Sequence, residues 1–180
     1  KNSGESYRLG LEVDATIWIN DWLSLRPNIA ISRNRNKDFV AVFDGIQQNF
    51  GDTEISFSPN VVAGNMIRFS PIKNLQLNLL SKYVGEQYMS NLELETSKLD
   101  SYFVNDFNIQ YVWDTAPLFK EVVFTGLVNN IFGEKYLSNG YFYTYDIENP
   151  EMPNGVETLG GAGYYPQATT NFLAGVTLRF

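Results

Sequence analysis

Thr169 to Phe180 alternate in character almost without fault and finish on an aromatic residue. Phe172, Ala174, Val176, Leu178 and Phe180 fall on one face of an extended strand. Asn171, Leu173, Gly175, Thr177 and Arg179 fall on the other, because successive side chains in a strand point opposite ways. The apolar face stays apolar to the last position. Soluble domains usually fray into polar residues at their ends, whereas a barrel that must close its sheet has reason to keep the strand intact.

The pattern recurs six more times. Tyr7, Leu9, Leu11, Val13, Ala15, Ile17 and Ile19 alternate with polar residues through Asn20, and Leu23 to Ser32 repeat the alternation. A third segment is expected from Ile55 to Ser70, a fourth from Leu75 to Glu86 and a fifth from Tyr102 to Trp113. The sixth, Val122 to Phe132, is less clean, since Val123, Leu127 and Ile131 sit on its nominally polar side. Seven period-2 segments without a 3.6 period predict an all-β chain. Pro27 and Pro59 fall inside expected strands, where a ladder donor is lost.

The connections alternate in length. Asn20 to Trp22, Pro71 to Asn74 and Thr115 to Lys120 are short, while Arg33 to Glu54, Gln87 to Asp100 and Gly133 to Thr169 are long. Short turns at one end and long loops at the other describe an antiparallel up-and-down barrel in an outer membrane. No apolar run approaches the about 18 residues of a membrane helix, but barrel strands need none. At 180 residues, residues 1–180 read as one domain, and Lys1 and Asn2 read as the cut edge of something larger. A net charge of -7 argues against nucleic acid, which needs a basic patch.

Alternation alone does not separate a barrel facing lipid from a soluble sandwich facing its own core. Two features favour the barrel. The polar face carries charge at Arg8, Glu12, Asp14, Arg26, Arg68, Lys82, Asp106 and Arg179, as a water-filled or plugged lumen would. Aromatics gather at strand ends, with Trp22, Phe69, Trp113 and Phe180 on the short-turn side and Tyr7, Tyr83, Tyr102 and Phe132 on the other, as two interfacial girdles. The chain has no His and no Cys, so nucleophile–His sites and ordinary zinc sites cannot be assembled. Glu12 and Asp14 could mimic a catalytic carboxylate pair, but a lumen wall is the simpler reading. Leu159 to Gly163 lack the Lys of a phosphate loop and read as a flexible loop tip. No catalytic residue, metal site or cofactor is expected.

The last long loop is the candidate binding surface. It holds Tyr141, Phe142, Tyr143, Tyr145, Tyr164 and Tyr165, rigid side chains with a polar tip. A simpler reading makes Tyr141 to Tyr145 an aromatic hairpin prolonging the sixth strand. Asp146, Glu148, Glu151 and Glu157 lie nearby, but their spacing matches no calcium motif.

Asn130-Ile131-Phe132-Gly133-Glu134-Lys135-Tyr136 resembles the Asn-(Leu/Ile)-Phe-x-x-x-Tyr signature of TonB-dependent outer-membrane receptors, and Tyr164 to Phe180 resemble their last strand. The resemblance implies the final seven strands of a barrel of about 22 strands around an N-terminal plug domain. It implies uptake of a scarce nutrient chelate, foremost a ferric siderophore, through a plug and a TonB–ExbB–ExbD contact lying in a missing N-terminal part. Expected partners are the metal chelate, outer-membrane lipid and lipopolysaccharide, and the barrel-assembly machinery reading Phe180. The pattern looks closer to iron-complex and cobalamin receptors than to glycan importers. The alternatives are a cobalamin- or glycan-type receptor of the same family, a structural or adhesive outer-membrane barrel, and a soluble β-sandwich binding module.

Overall fold

The computed structural model describes residues 4–114 and 118–180. In chain order the strands are β1 (Ser6–Asp14), β2 (Ile17–Asn20), β3 (Leu23–Asn36), β4 (Val40–Phe43), β5 (Ile46–Asn49), β6 (Thr53–Glu54), β7 (Val61–Phe69) and β8 (Leu75–Val84). There follow β9 (Gln87–Tyr88), a single 3₁₀ turn at Glu95–Ser97, β10 (Lys98–Leu99), β11 (Tyr102–Trp113), β12 (Glu121–Asn129), β13 (Leu137–Glu148), β14 (Val156–Pro166) and β15 (Asn171–Arg179). One antiparallel sheet runs β1-β3-β7-β8-β11-β12-β15, with β2 and β6 also paired to β3. Sequence neighbours are therefore spatial neighbours along the whole wall, the up-and-down order the alternating connections predict.

Register keeps each face uniform. Val13 pairs with Ile29, Ile29 with Ala63 and Ala63 with Tyr83, while on the opposite face Asp14, Asn28, Gly64 and Lys82 stand in a row. The apolar face is largely open, with Leu9, Leu11 and Phe172 at 72%, 68% and 80% exposure. No second sheet covers it among the described residues, as a sandwich would require.

The ladder absorbs Pro27 at little cost. The expected first strand is interrupted at residues 15–16, yet Asp14 faces Asn28 before the gap and Ile17 faces Leu25 after it, so register is unbroken. Ala15 N still donates to Pro27 O at 3.0 Å; only the return bond is missing, because proline has no N–H. Pro59 lies outside any strand. The expected third strand does not begin at Ile55: Phe57 sits at φ 52°, and the wall strand starts at Val61. Arg33 to Asn36, expected in a loop, instead extend β3. The expected sixth strand stops at Asn129 because Asn130 takes φ 50°.

The three short connections share one end. Asn20 Oδ1 accepts from the N–H groups of Trp22 and Leu23 at 3.1 and 2.9 Å, closing the first as an Asx turn. Asn74 takes φ 70° in the second. Of the third, residues 115–117 lie outside the described residues, as does the start of the chain at Lys1 and Asn2. Trp22 packs edge-on against Phe69 at 5.4 Å and Phe119 against Phe180 at 5.0 Å, so aromatics do ring this end. At the opposite end Tyr102 leaves the girdle, for it points to the charged face and stacks on Tyr136 at 4.3 Å. The step of one residue from Phe103 reverses its side.

Candidate functional site: charged wall and tyrosine hairpin

Four of the eight charged wall residues converge. Asp14, Arg26, Lys82 and Asp106 line a concavity of about 650 Å³ together with Thr16, Asn28 and Met66. They come from β1, β3, β8 and β11, placed by the registers Asp14↔Asn28, Arg26↔Met66 and Asp106↔Leu80. None of the four forms an ion pair with another among the described residues. Arg68 sits one layer nearer the turns, in a smaller recess with Gln76 and Gln110. Arg8 and Glu12 stand on the same face of β1 outside the concavity, and Arg179 pairs with Glu121 at the far edge. Glu12 and Asp14 are both exposed and share no partner, which gives the carboxylate-pair idea no support.

Above this wall the Asn130 turn sets where the last loop departs. Asn130 N donates to Asp106 Oδ1 at 2.7 Å, Asn130 Oδ1 accepts from Glu134 N at 2.9 Å, and Asn130 Nδ2 donates to the carbonyls of Glu134 and Ala168 at 2.8 and 3.2 Å. Thr170 Oγ1 donates to Asn130 O at 2.8 Å. One buried side chain thus ties the start of the loop to its end. Burial, reinforced by the Asp106 carboxylate, pushes the neighbouring Tyr136 hydroxyl above its ordinary 10.0.

The loop itself is a long hairpin of β13 and β14 in a sheet of its own, so it does not prolong the sixth wall strand. Tyr141, Tyr143 and Tyr145 alternate onto one face, with successive ring centroids 6.3 and 6.1 Å apart, and Tyr165 lies 6.1 Å from Tyr141. All four are about half exposed. Phe142 and Tyr164 take the opposite face, where Tyr164 Oη donates to Thr96 O at 3.1 Å. The six aromatics expected at one surface therefore divide between an open ladder and the opposite face, where Phe142 is half-buried and Tyr164 still exposed.

The glycine run expected to be a flexible tip is the middle of β14. Tyr141 faces Gly163 and Tyr143 faces Gly161. A Cβ at Gly163 would come within 2.4 Å of the Tyr141 ring, and one at Gly161 within 2.5 Å of Tyr143. The rings lie down across the bare backbone, and only glycine leaves room for them.

The underside is latched to neighbouring loops. Thr158 N donates to Asp44 Oδ1 at 2.8 Å, Asp44 N to Thr158 Oγ1 at 2.7 Å, and Thr158 Oγ1 to Asp146 Oδ1 at 2.7 Å. A second knot holds Arg35 between Glu93 at 2.9 Å and Glu54 at 3.3 Å. Asn149 Nδ2 donates to Glu157 Oε2 at 2.7 Å, so two of the four loop carboxylates serve the hairpin's own structure. Neither knot has a signal in the sequence, because Asp44 and Thr158 are 114 residues apart and Arg35 and Glu93 are 58 apart. The Asn130 hub could have been suspected from the quoted Asn-Ile-Phe motif.

No protein-family profile and no curated protein matches the sequence. Solved structures do. The ferric yersiniabactin uptake receptor FyuA from Yersinia pestis superimposes over 99% of this chain with a TM-score of 0.69 at 16% identity. The siderophore receptor PiuA from Acinetobacter baumannii and the ferric-catecholate import receptor Fiu from K12 E. coli each match 95% of it with TM-scores of 0.65, at 14% and 15% identity. The chain spans 20–24% of the length of these receptors. It has the fold of an arc of their barrel wall with its loops, and the resemblance to TonB-dependent receptors holds at the level of the fold.

Proposed function

We propose that the chain forms wall and loops of a TonB-dependent outer-membrane receptor that imports a scarce metal chelate, foremost a ferric siderophore. The observation that carries this reading is the placement of an open tyrosine ladder on the loop that rises from the charged wall. On this reading the apolar face of the sheet meets lipid and the turns lie in the periplasm. The long loops face the exterior, where the ladder captures a chelate by flat, rigid contact area.

The set Asp14, Arg26, Lys82 and Asp106, none of them ion-paired with another, faces the lumen and offers complementary charge to a plug domain held inside. Gating belongs to that plug and to its TonB–ExbB–ExbD contact; this segment catalyses nothing, and Phe180 serves recognition by the barrel-assembly machinery. The three named siderophore receptors of like fold support the substrate class.

The test is uptake of iron-55 as its chelates by cells carrying the intact receptor, with and without TonB. TonB-dependent accumulation of a ferric chelate is the expected result. Folded receptor at the surface with no chelate uptake would favour the structural or adhesive barrel.

A further inference from the structure

The tyrosine ladder stands in surroundings of one sign of charge. The three long connections carry twelve Asp or Glu against five Lys or Arg, which accounts for the whole net charge of -7. The hairpin of β13 and β14 holds Asp146, Glu148, Glu151 and Glu157, and neither Lys nor Arg. Cations of the neighbouring loops are engaged elsewhere. Arg35 is held by Glu54 and Glu93, Lys98 by Glu86 at 2.9 Å, and Lys37 lies over the Tyr7 ring at 5.8 Å.

One of the hairpin carboxylates shares the ladder's face. Tyr141, Tyr143 and Tyr145 are followed on that face by Ile147, whose partner in register is Glu157. Asp146 and Glu148 point the other way, and Glu151 lies in the turn beyond. Glu157 Oε2 accepts from Asn149 Nδ2 at 2.7 Å, which fixes the carboxylate at the tip end of the ladder. Its other oxygen has no hydrogen-bond partner among the described residues. Along the strand, the Tyr141 row and the Glu157 row are about 20 Å apart.

Half-exposed rings, whose faces are electrostatically negative, thus lead to a held negative charge. An anionic chelate would meet repulsion along this track and would find no Arg or Lys on the hairpin to receive it. A positive group would be attracted both by the rings and by the carboxylate. We propose that the ladder selects a positively charged chelate. The body of the chelate lies across the tyrosine rings, and a pendant ammonium or guanidinium reaches Glu157. This rests on the importer reading above and adds the sign of the cargo's charge to it.

The test measures binding to the intact receptor and iron-55 uptake by cells carrying it, with and without TonB. Three probes are compared: a linear ferric tris-hydroxamate ending in a free ammonium (ferrioxamine B), the same chelate acetylated on that amine, and an anionic ferric tris-catecholate (ferric enterobactin). Wild type should bind the ammonium form about fivefold more tightly than the acetylated form, the scale of one exposed charge contact. It should bind the tris-catecholate least, and added salt should narrow the gap between the first two. Glu157→Gln keeps an acceptor for Asn149 and should abolish the preference, whereas Glu148→Gln, on the opposite face, should retain it. Heat-shifted gel migration checks that both variants are folded. Equal binding of the ammonium and acetylated forms by wild type overturns the proposal. So does tightest binding of the tris-catecholate, or a preference that survives Glu157→Gln. If any probe still enters in a TonB-dependent way, those results sink the charge selection and leave the importer reading standing. Absence of TonB-dependent uptake for all three removes the importer reading as well.

Discussion

Asn130 and Phe107 show how much one position can carry in a sheet of this kind. Asn130 holds φ 50° and uses both ends of its amide. Asn130→Gly should relieve the backbone and still destabilise the loop base by about 1 kcal/mol, since part-buried groups at Glu134 and Ala168 lose their partner. Hydrogen exchange at Gly133 and Glu134 checks this, and unchanged protection would deny the hub its role. Phe107 and Asn108 point to opposite faces of β11, toward Leu79 and Asn78 respectively. Phe107→Arg should destabilise bilayer insertion by roughly 2–4 kcal/mol and Asn108→Arg far less. Equal penalties in a bilayer refolding titration would remove the lipid-facing assignment. Asp114 offers a pH test at the turn end. A hydrogen bond from the Asn74 side chain, helped by Lys73 at 3.5 Å, holds its carboxyl below the usual 3.8. A depressed carboxyl stabilises above its ordinary pKa and loses that contribution as pH falls through the depressed value. Wild type should therefore exceed Asp114→Asn slightly in melting temperature near about pH 6, and the two should converge in acid. The gap will be small at so exposed a site.

The wall strands were legible as elements because period 2 is imposed by a face that must stay apolar, and that requirement repeats seven times. Their ends were not, since boundaries depend on local backbone: φ 52° at Phe57 and φ 50° at Asn130 leave little trace in composition. The hairpin was half legible. Tyrosine alternation announced β13, but Gly160 to Gly163 read as a loop because glycine weakens a strand taken alone. What makes β14 a strand is the partner across it, whose rings cover the bare backbone. Gly163→Val should therefore tilt Tyr141 off the ladder and weaken chelate binding, with barrel heat resistance unchanged. The triple change of Tyr141, Tyr143 and Tyr145 to Ser should weaken it further. Affinity in detergent, measured beside gel migration, decides: full affinity in a folded triple variant would move capture to the plug or to other loops.

At the scale of the molecule, the latches and the open ends divide the work. Asp44–Thr158–Asp146 and Arg35–Glu54–Glu93 bind the long loops into one mass, while the wall ends in the unpaired outer edges of β1 and β15. Charge placement on one face of the wall was legible, but which charges converge was not, since that depends on the register of four strands far apart in sequence. The same geometry bears on Phe180. It is 79% exposed beside the outer edge of β15, and among the described residues it touches Phe119 edge-on. If its role lies in recognition during assembly, removing it should separate two quantities that usually move together. Surface abundance of the intact receptor should fall several-fold, whereas receptor refolded into vesicles should keep nearly wild-type heat resistance, because only an edge contact is lost. Immunoblots of outer-membrane fractions beside gel migration of refolded protein measure both. Normal surface levels would make Phe180 an ordinary strand end, and a matched fall in heat resistance would make it a packing residue, its edge contact with Phe119 counting for more than its exposure suggests.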